Sequence, residues 1–204
     1  GPTYEKLDPV RFIGNYSSGK MGKAIANELA IRGAQVHLVL GPVNTDGIHK
    51  NVHLTCIESS ADMYEACSSF FSQCDAAILS AAVADYAPAH TADQKIKKKG
   101  DTLSLELIKT KDVLYHLGEV KRANQILVGF ALETQNEYDN AVIKLEKKNL
   151  DFIVLNSMND KGAGFGKDTN KITILEKNGK THNFDTKPKA EVAQDIVSLL
   201  STYL

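Results

Sequence analysis

The sequence predicts an α/β protein built on an open, doubly wound, mostly parallel sheet with helices on both faces. Three observations carry that expectation. Segments with helical apolar spacing alternate with short apolar segments along the chain. Residues 76–83 (AAILSAAV) are nearly all apolar, the pattern of a parallel strand covered on both faces. A glycine- and serine-rich loop at 14–22 (GNYSSGKMG) leads directly into a helical pattern. That arrangement presents free N–H groups and a helix dipole to a ligand beyond the carboxyl ends of the strands.

Taken in order, residues 1–13 read as a loop. Ser17 or Ser18 is expected to cap the helix that follows, whose Met21, Ala24, Ile25 and Leu29 share one face. Glycines at 14, 19 and 22 allow close approach of backbone and ligand. Residues 36–40 and 52–57 are apolar strands, the first ended by Gly41-Pro42. Between 61 and 71, Met63, Ala66, Cys67 and Phe70 recur at helical spacing. After the strand at 76–83 the texture changes: residues 87–102 are polar and carry Lys95, Lys97, Lys98 and Lys99, and Leu103, Leu105 and Leu107 then alternate as in a half-exposed strand. A helix over 111–121 turns Val113, Leu114, Leu117 and Val120 inward, and 125–132 is a buried strand. Thr134 and Glu137 have capping-box spacing for a helix burying Tyr138, Ala141, Val142 and Leu145, with Lys144 and Lys148 one turn apart on another face. A strand at 152–156, a glycine-rich run at 160–168, a hairpin about Asn178-Gly179 and a helix opened by Pro188, with Val192, Ile196 and Leu200 inward, complete the chain.

The 204 residues are read as one domain, long enough to bury a good-sized core. A net charge of −1 supplies no global field that would favour nucleic acid or an anionic membrane. No apolar run reaches membrane-spanning length and the N-terminus shows no signal-peptide pattern, so a cytoplasmic protein is expected. Cys56, Cys67 and Cys74 are odd in number and lack metal-ligand spacing; they read as reduced, mostly buried residues.

Three constellations can carry chemistry. The loop at 14–22 offers anion-binding N–H groups. Ala81-Ala82-Val83-Ala84-Asp85, at a strand end, leaves room for a planar ligand and exposes backbone to read its edge. Lys95, Lys97, Lys98, Lys144 and Lys148 offer point charges for phosphates. Each has a plain alternative: a capped turn, a packing strand, a solvated charged face. There is no Walker A motif, no metal-ligand cluster and no serine or cysteine nucleophile with a recognisable histidine partner.

Asp8-Pro9-Val10-Arg11, then Asn15-x-Ser17-Ser18-Gly19-Lys20-Met21-Gly22, Ala81-Ala82-Val83-Ala84-Asp85-Tyr86, Lys95-Ile96-Lys97-Lys98 and Gly129-Phe130-Ala131-x-Glu133-Thr134 occur in order over essentially the whole chain. Together they resemble the phosphopantothenoylcysteine synthetases, more closely the bacterial form often fused to a flavin-dependent decarboxylase. The resemblance implies a Rossmann-like fold and a ligase of coenzyme A biosynthesis. Its substrates are 4′-phosphopantothenate, CTP and L-cysteine, with Mg2+ carried by the triphosphate. It also implies a homodimer in which a lysine-rich flap and dimerisation insertion, about 86–110, covers the partner's site.

Carried over by motif, the catalytic residues are Asn15, which processes the acyl-nucleotide, and Lys95, which helps form it. Ser80, Ala81, Asp85, Lys95, Lys111, Asp112, Val113, Leu114, Phe130, Lys144 and Lys148 fall where the family contacts the nucleotide. Gly14, Asn15, Ser17, Ser18 and Gly19 form the phosphate and substrate loop. Two departures stand out. The family pattern has a strand before the Gly1-Pro2-Thr3 turn at which this sequence starts, so either that strand lies outside the sequence or the sheet lacks it. Lys23 stands where an apolar residue is expected and should weaken helix packing. The sequence reads as a stand-alone synthetase or an excised domain, with a decarboxylase fused or separate. Two rival readings remain. Tyr16-x-x-x-Lys20 spells the pair of short-chain dehydrogenases, though early in the chain and without a dinucleotide glycine motif. A nucleotide-binding module without activity is the other, and the presence of both Asn15 and Lys95 speaks against it.

Overall fold

A computed structural model describes residues 1–98, 100–133, 135–157 and 166–204. A hairpin of β1 (Tyr4–Lys6) and β2 (Phe12–Gly14) precedes α1 (Lys20–Ile31), β3 (Val36–Leu40), β4 (Val52–Cys56), α2 (Ser60–Phe71) and β5 (Ala76–Leu79). The middle of the chain holds β6 (Tyr86–Pro88), β7 (Leu107–Lys109), α3 (Val113–Val120), β8 (Ile126–Glu133), α4 (Glu137–Lys147) and β9 (Phe152–Ser157). It ends with β10 (Thr169–Asn170), β11 (Ile172–Glu176), β12 (Thr181–Asn183), β13 (Lys187–Pro188) and α5 (Lys189–Leu200).

The main sheet has the order β12-β11-β9-β8-β5. Strands β5, β8 and β9 are parallel, while β11 and β12 add an antiparallel edge. Strands β3 and β4 form a separate parallel pair. The first residues run between the two sheets: Ala82 N–H donates to the Gly1 carbonyl at 3.1 Å, and a Cβ on Gly41 would lie 1.7 Å from the Pro2 carbonyl oxygen.

Period-two alternation in the central strands sends side chains to two cores. Ile126, Val128, Phe152, Val154, Ile172 and Ile174 meet Ile25 of α1 and Val192, Ile196 and Leu200 of α5. Leu127, Ala131, Ile153, Leu155 and Leu175 meet Met63 of α2, Val113 and Leu117 of α3, and Ala141 and Leu145 of α4. Helices therefore cover both faces, as the alternation of segments predicts. No helix among the described residues is long and apolar enough to cross a membrane.

Several local expectations are corrected. Residues 1–13 are not simply a loop, because 4–6 and 12–14 pair in register, with Tyr4 stacked on Phe12 at 3.8 Å. The strand of the insertion is Leu107–Lys109, paired with Tyr86–Pro88; Leu103 and Leu105 are exposed and unpaired in any ladder. Strand β5 ends at Leu79 and its residues are only partly buried. Val120 and Tyr138 are each 51% exposed instead of buried. Both share the azimuth of their helix's apolar stripe, but Val120 is the last residue of α3 and Tyr138 lies in the first turn of α4. Periodicity fixes a direction around the axis, not how far the covering surface extends along it.

Helix α1 is capped by neither serine. Its N-cap is Gly19, left-handed at φ 69°, with no side-chain cap. Of the proposed Thr134–Glu137 capping box, Thr134 lies outside the described residues; Asn136 is the N-cap, so Glu137 is the first helical residue, not the third. Cys56 is exposed and Cys67 and Cys74 are half-buried, all three as free thiols. Lys23 does not disturb α1, since its amine leaves the helix to donate to the Asn44 and Asp46 carbonyls at 2.9 and 3.2 Å.

Candidate functional site

The parallel strands β5, β8 and β9 of the main sheet point their carboxyl ends at one cleft of about 450 Å³. Its wall begins with Ser17, Ser18 and Gly19 and continues through the exits of β5 (residues 79–85) and β8 (residues 130–132). Gly22 lets the first turn of α1 sit against this wall, because a Cβ there would come within 3.1 Å of Ser80 Oγ. With no side chain capping α1, its first N–H groups are available to a ligand.

The exit of β5 is held as a backbone ledge. Asn15 Nδ2 donates to the carbonyls of Ala82 and Val83 at 3.1 and 3.3 Å. Thr3 Oγ1 accepts from Ala84 N–H at 3.0 Å, Thr110 Oγ1 donates to the Ala84 carbonyl at 2.7 Å, and Thr110 N–H donates to the Asp85 carbonyl at 3.0 Å. Short side chains at 81–84 keep the ledge open, as their sequence implies.

Charged groups flank it. Asp112 caps α3, accepting from Tyr115 N–H at 2.9 Å, and also accepts from Lys148 Nζ. Burial opposes its ionisation, but those hydrogen bonds and the nearby charges of Lys148 and Lys144 outweigh it and hold Asp112 below the usual carboxylate range. Lys144 donates to the Phe130 carbonyl at 2.8 Å. Its burial lowers its pKa, which Glu133 partly restores. The i, i+4 spacing of Lys144 and Lys148 thus delivers both amines to one cleft.

Of the residues singled out from sequence, Ser17, Ser18, Gly19, Ser80, Ala81, Asp85, Lys111, Asp112, Val113, Leu114, Phe130, Lys144 and Lys148 line this one cleft. Asn15 stands at its margin, bonded to the ledge. Gly14 lies in β2 beside Tyr4, away from the lining. Lys95 is exposed and is not brought to the cleft of its own chain. Its neighbour Ile96 is fixed instead: Ile96 N–H donates to Asp8 Oδ2 at 3.0 Å, and Arg11 Nη2 donates to the Ile96 carbonyl at 2.8 Å. Asp8 has no exposed side-chain surface, and its bonds to the Arg11 guanidinium hold its carboxyl far below the usual range.

Lys20 of the 14–22 loop also lines the cleft, together with residues that sequence reasoning left out: Asn156, Asn170 and Lys189. A polar residue ending an apolar strand, as Asn156 does, is a usable signal in a doubly wound sheet. Asn170 and Lys189 offer no comparable pattern.

A family model described as the DNA/pantothenate metabolism flavoprotein C-terminal domain matches residues 1–203. The chain belongs to this family. A relative from an unknown prokaryotic organism, named cysteine/cysteine sulfinic acid decarboxylase, is 50% identical over 202 residues, covering 99% of this chain and 56% of that protein. The coenzyme A biosynthesis bifunctional protein CoaBC of Bacillus subtilis is 45% identical over 197 residues, covering 97% of this chain and 48% of the relative. The crystal structure of the C-terminal domain of a CoaBC protein superposes with a TM-score of 0.83 at 38% identity, covering 99% of this chain and 91% of that one. The chain thus spans about half the length of the curated relatives it matches. As a DNA/pantothenate metabolism flavoprotein C-terminal domain it carries the family's fold with the two faces and the cleft described above.

Proposed function

We propose that this domain is the phosphopantothenate–cysteine ligase of coenzyme A biosynthesis, acting in the cytoplasm. The observation that carries the reading is the cleft in which Ser17, Ser18 and Gly19, the ledge at 81–85 and the lysines Lys111, Lys144 and Lys148 meet. Likeness to the half of CoaBC proteins represented by the C-terminal domain supports it. A carboxylate is a poor electrophile. Attack of its oxygen on the α-phosphorus of CTP expels diphosphate and leaves an acyl-cytidylate. The amine of L-cysteine then attacks the acyl carbon, CMP departs with the former carboxylate oxygen, and the amine loses a proton.

Positioning and charge stabilisation do most of this work. The ledge at 81–85 reads the base, Lys144 and Lys148 take the triphosphate charge, and Asn15 sits beside the ledge where the acyl group forms. Among the described residues no group of three His, Cys, Asp or Glu side chains could cage a metal. The cleft's carboxylates are Asp85 and Asp112, and Asp112 is engaged by Lys148. This donor set suits a magnesium ion held mainly by substrate phosphates with Asp85 beside them, its contribution being charge neutralisation.

Lys95, away from its own cleft, fits the flap of a homodimer that reaches the partner's site. Tyr86, Leu103, Leu105, Leu107 and Ile108 are exposed apolar residues of that flap, whose strand β6 packs against β1 of the N-terminal hairpin. Incubation with 4′-phosphopantothenate, magnesium, CTP or ATP, with and without L-cysteine, tests the reading. CTP-dependent diphosphate release, with CMP and 4′-phosphopantothenoyl-L-cysteine formed on adding cysteine, supports it; no release with either nucleotide refutes it. Measuring CO2 in the same mixture separates ligation from the decarboxylation for which the 50% identical relative is named.

A further inference from the structure

Asp8, in the turn between β1 and β2, is a charged group whose side chain has no exposed surface. A buried carboxylate is tolerated where its oxygens are paired, and here the two oxygens serve different ends. Oδ1 accepts from Val10 N–H and Arg11 N–H, both at 2.9 Å, and these bonds close the turn itself. Oδ2 accepts from the Arg11 guanidinium, through Nε at 3.0 Å and Nη2 at 2.5 Å, and from Ile96 N–H at 3.0 Å. Arg11 Nη2 also donates to the Ile96 carbonyl at 2.8 Å. The outward half of the ion pair thus holds both backbone groups of a residue 88 positions further along the chain. A turn needs only the Oδ1 bonds. A buried charged fork aimed at one point of another segment goes beyond that need.

Ile96 is where such a grip has most effect. The base of its segment is held by Ala92 N–H, donating to the Leu7 carbonyl at 3.0 Å, and Thr91 Oγ1, donating to the Lys6 carbonyl at 3.1 Å. Beyond Ala92, residues 93–98 belong to no strand or helix, and Lys95, Lys97 and Lys98 are exposed. Ile96 N–H is part of the peptide unit shared with Lys95, and its carbonyl of the unit shared with Lys97, so the fork fixes two planar units in succession. The hairpin carrying the fork runs on through β2 to Asn15, which is bonded to the ledge.

We propose that Asp8 is a positioning residue of the first half-reaction: with Arg11 it clamps Ile96 and so sets the place at which Lys95 is presented. The assignment rests on the ligase reading, in which Lys95 helps form the acyl-cytidylate. Misplacing a reacting group by about 1 Å costs about a hundredfold in rate, so the anchor beside that lysine governs turnover without touching substrate.

Two substitutions open the clamp from opposite sides. Asp8→Asn keeps the Oδ1 acceptor that closes the turn but sets an NH2 group against Ile96 N–H and the guanidinium. Ile96→Pro leaves the Asp8–Arg11 pair whole and removes the N–H it holds, in a segment outside any strand or helix, so it tests the clamp even if circular dichroism finds Asp8→Asn unfolded. Single-turnover diphosphate release from CTP, magnesium and 4′-phosphopantothenate, without cysteine, should fall about ten- to a hundredfold in both variants. Calorimetric affinities for CTP and 4′-phosphopantothenate should stay within about twofold of wild type, and the Ile96 amide should exchange its hydrogen faster in Asp8→Asn. Adding either substitution to Lys95→Ala should cost less than about twofold beyond Lys95→Ala alone, because both act through that lysine. Full diphosphate release by folded Asp8→Asn or Ile96→Pro, or a loss that multiplies with that of Lys95→Ala, overturns the assignment while the ligase reading stands. A folded wild type that releases no diphosphate with CTP or ATP overturns both.

Discussion

Asn15 donates from one amide nitrogen to two successive carbonyls of the β5 exit, so it fixes the ledge at the point where loop and strand meet. Its removal should spare the first half-reaction and damage the second. For Asn15→Ala we expect diphosphate release to continue while cysteine-dependent CMP release falls about a hundredfold, the cost of losing one well-placed polar group near a developing charge. Quenched-flow mass spectrometry should then show the acyl-cytidylate accumulating; equal loss of both steps would contradict the role. Lys144 supplies a pH signature. Burial holds its pKa below the ordinary lysine value in the free protein. Nucleotide phosphates favour the charged form and raise it again, so CTP binding should take up a proton in the alkaline range and weaken as pH rises through the free-state pKa. Calorimetry in buffers of different ionisation enthalpy measures that uptake; proton release on binding would contradict it.

At the scale of elements, the close approach of α3 to the end of α4 depends on one glycine. A Cβ at Gly118 would lie 2.0 Å from the Lys148 carbonyl oxygen, and Asn149 Nδ2 donates to the Gly118 carbonyl at 3.0 Å. Gly118→Ala must push α3 away and should cost about 1–3 kcal/mol, read as a lower urea midpoint with unchanged slope. Because Asp112 caps the start of α3 and Lys148 caps the end of α4, CTP affinity should fall with it. The alternation of elements and the two core faces were legible in the sequence because burial imprints a period of 2 on strands and about 3.6 on helices. Leu127 against Val128, and Ile153 against Val154, show the imprint at single-residue resolution. What periodicity does not carry is axial extent, which is why Val120 and Tyr138 emerge exposed, or the choice among capping groups, which placed Gly19 where a serine was expected. The hairpin at the chain start was missed because its pairing spans only three residues on each side.

For the whole molecule, the cleft unites residues from 17 to 189, and the gathering of its loop, ledge and α4-side lysines was legible through linked motifs. The presence of Asn170 and Lys189 was not, since they become neighbours of the loop only through the packing of α5 on α1 and the pairing of β10 with β13. The flap makes a further demand. With Lys95 held on a segment outside its own cleft, a homodimer is expected, and mixed dimers of inactive Asn15→Ala and inactive Lys95→Ala chains should regain activity, because one site in them receives both native residues. Light scattering that shows a monomer with full turnover would contradict this.

The central claim is that the carboxylate is activated as an acyl-cytidylate, and oxygen tracing tests it most directly. The reaction is run with 4′-phosphopantothenate carrying 18O in its carboxylate, CTP and L-cysteine, and the nucleotide product is analysed by mass spectrometry. Attack at the α-phosphorus predicts CMP containing one 18O atom. Label appearing in inorganic phosphate beside CDP, or CMP formed without label, would contradict the account.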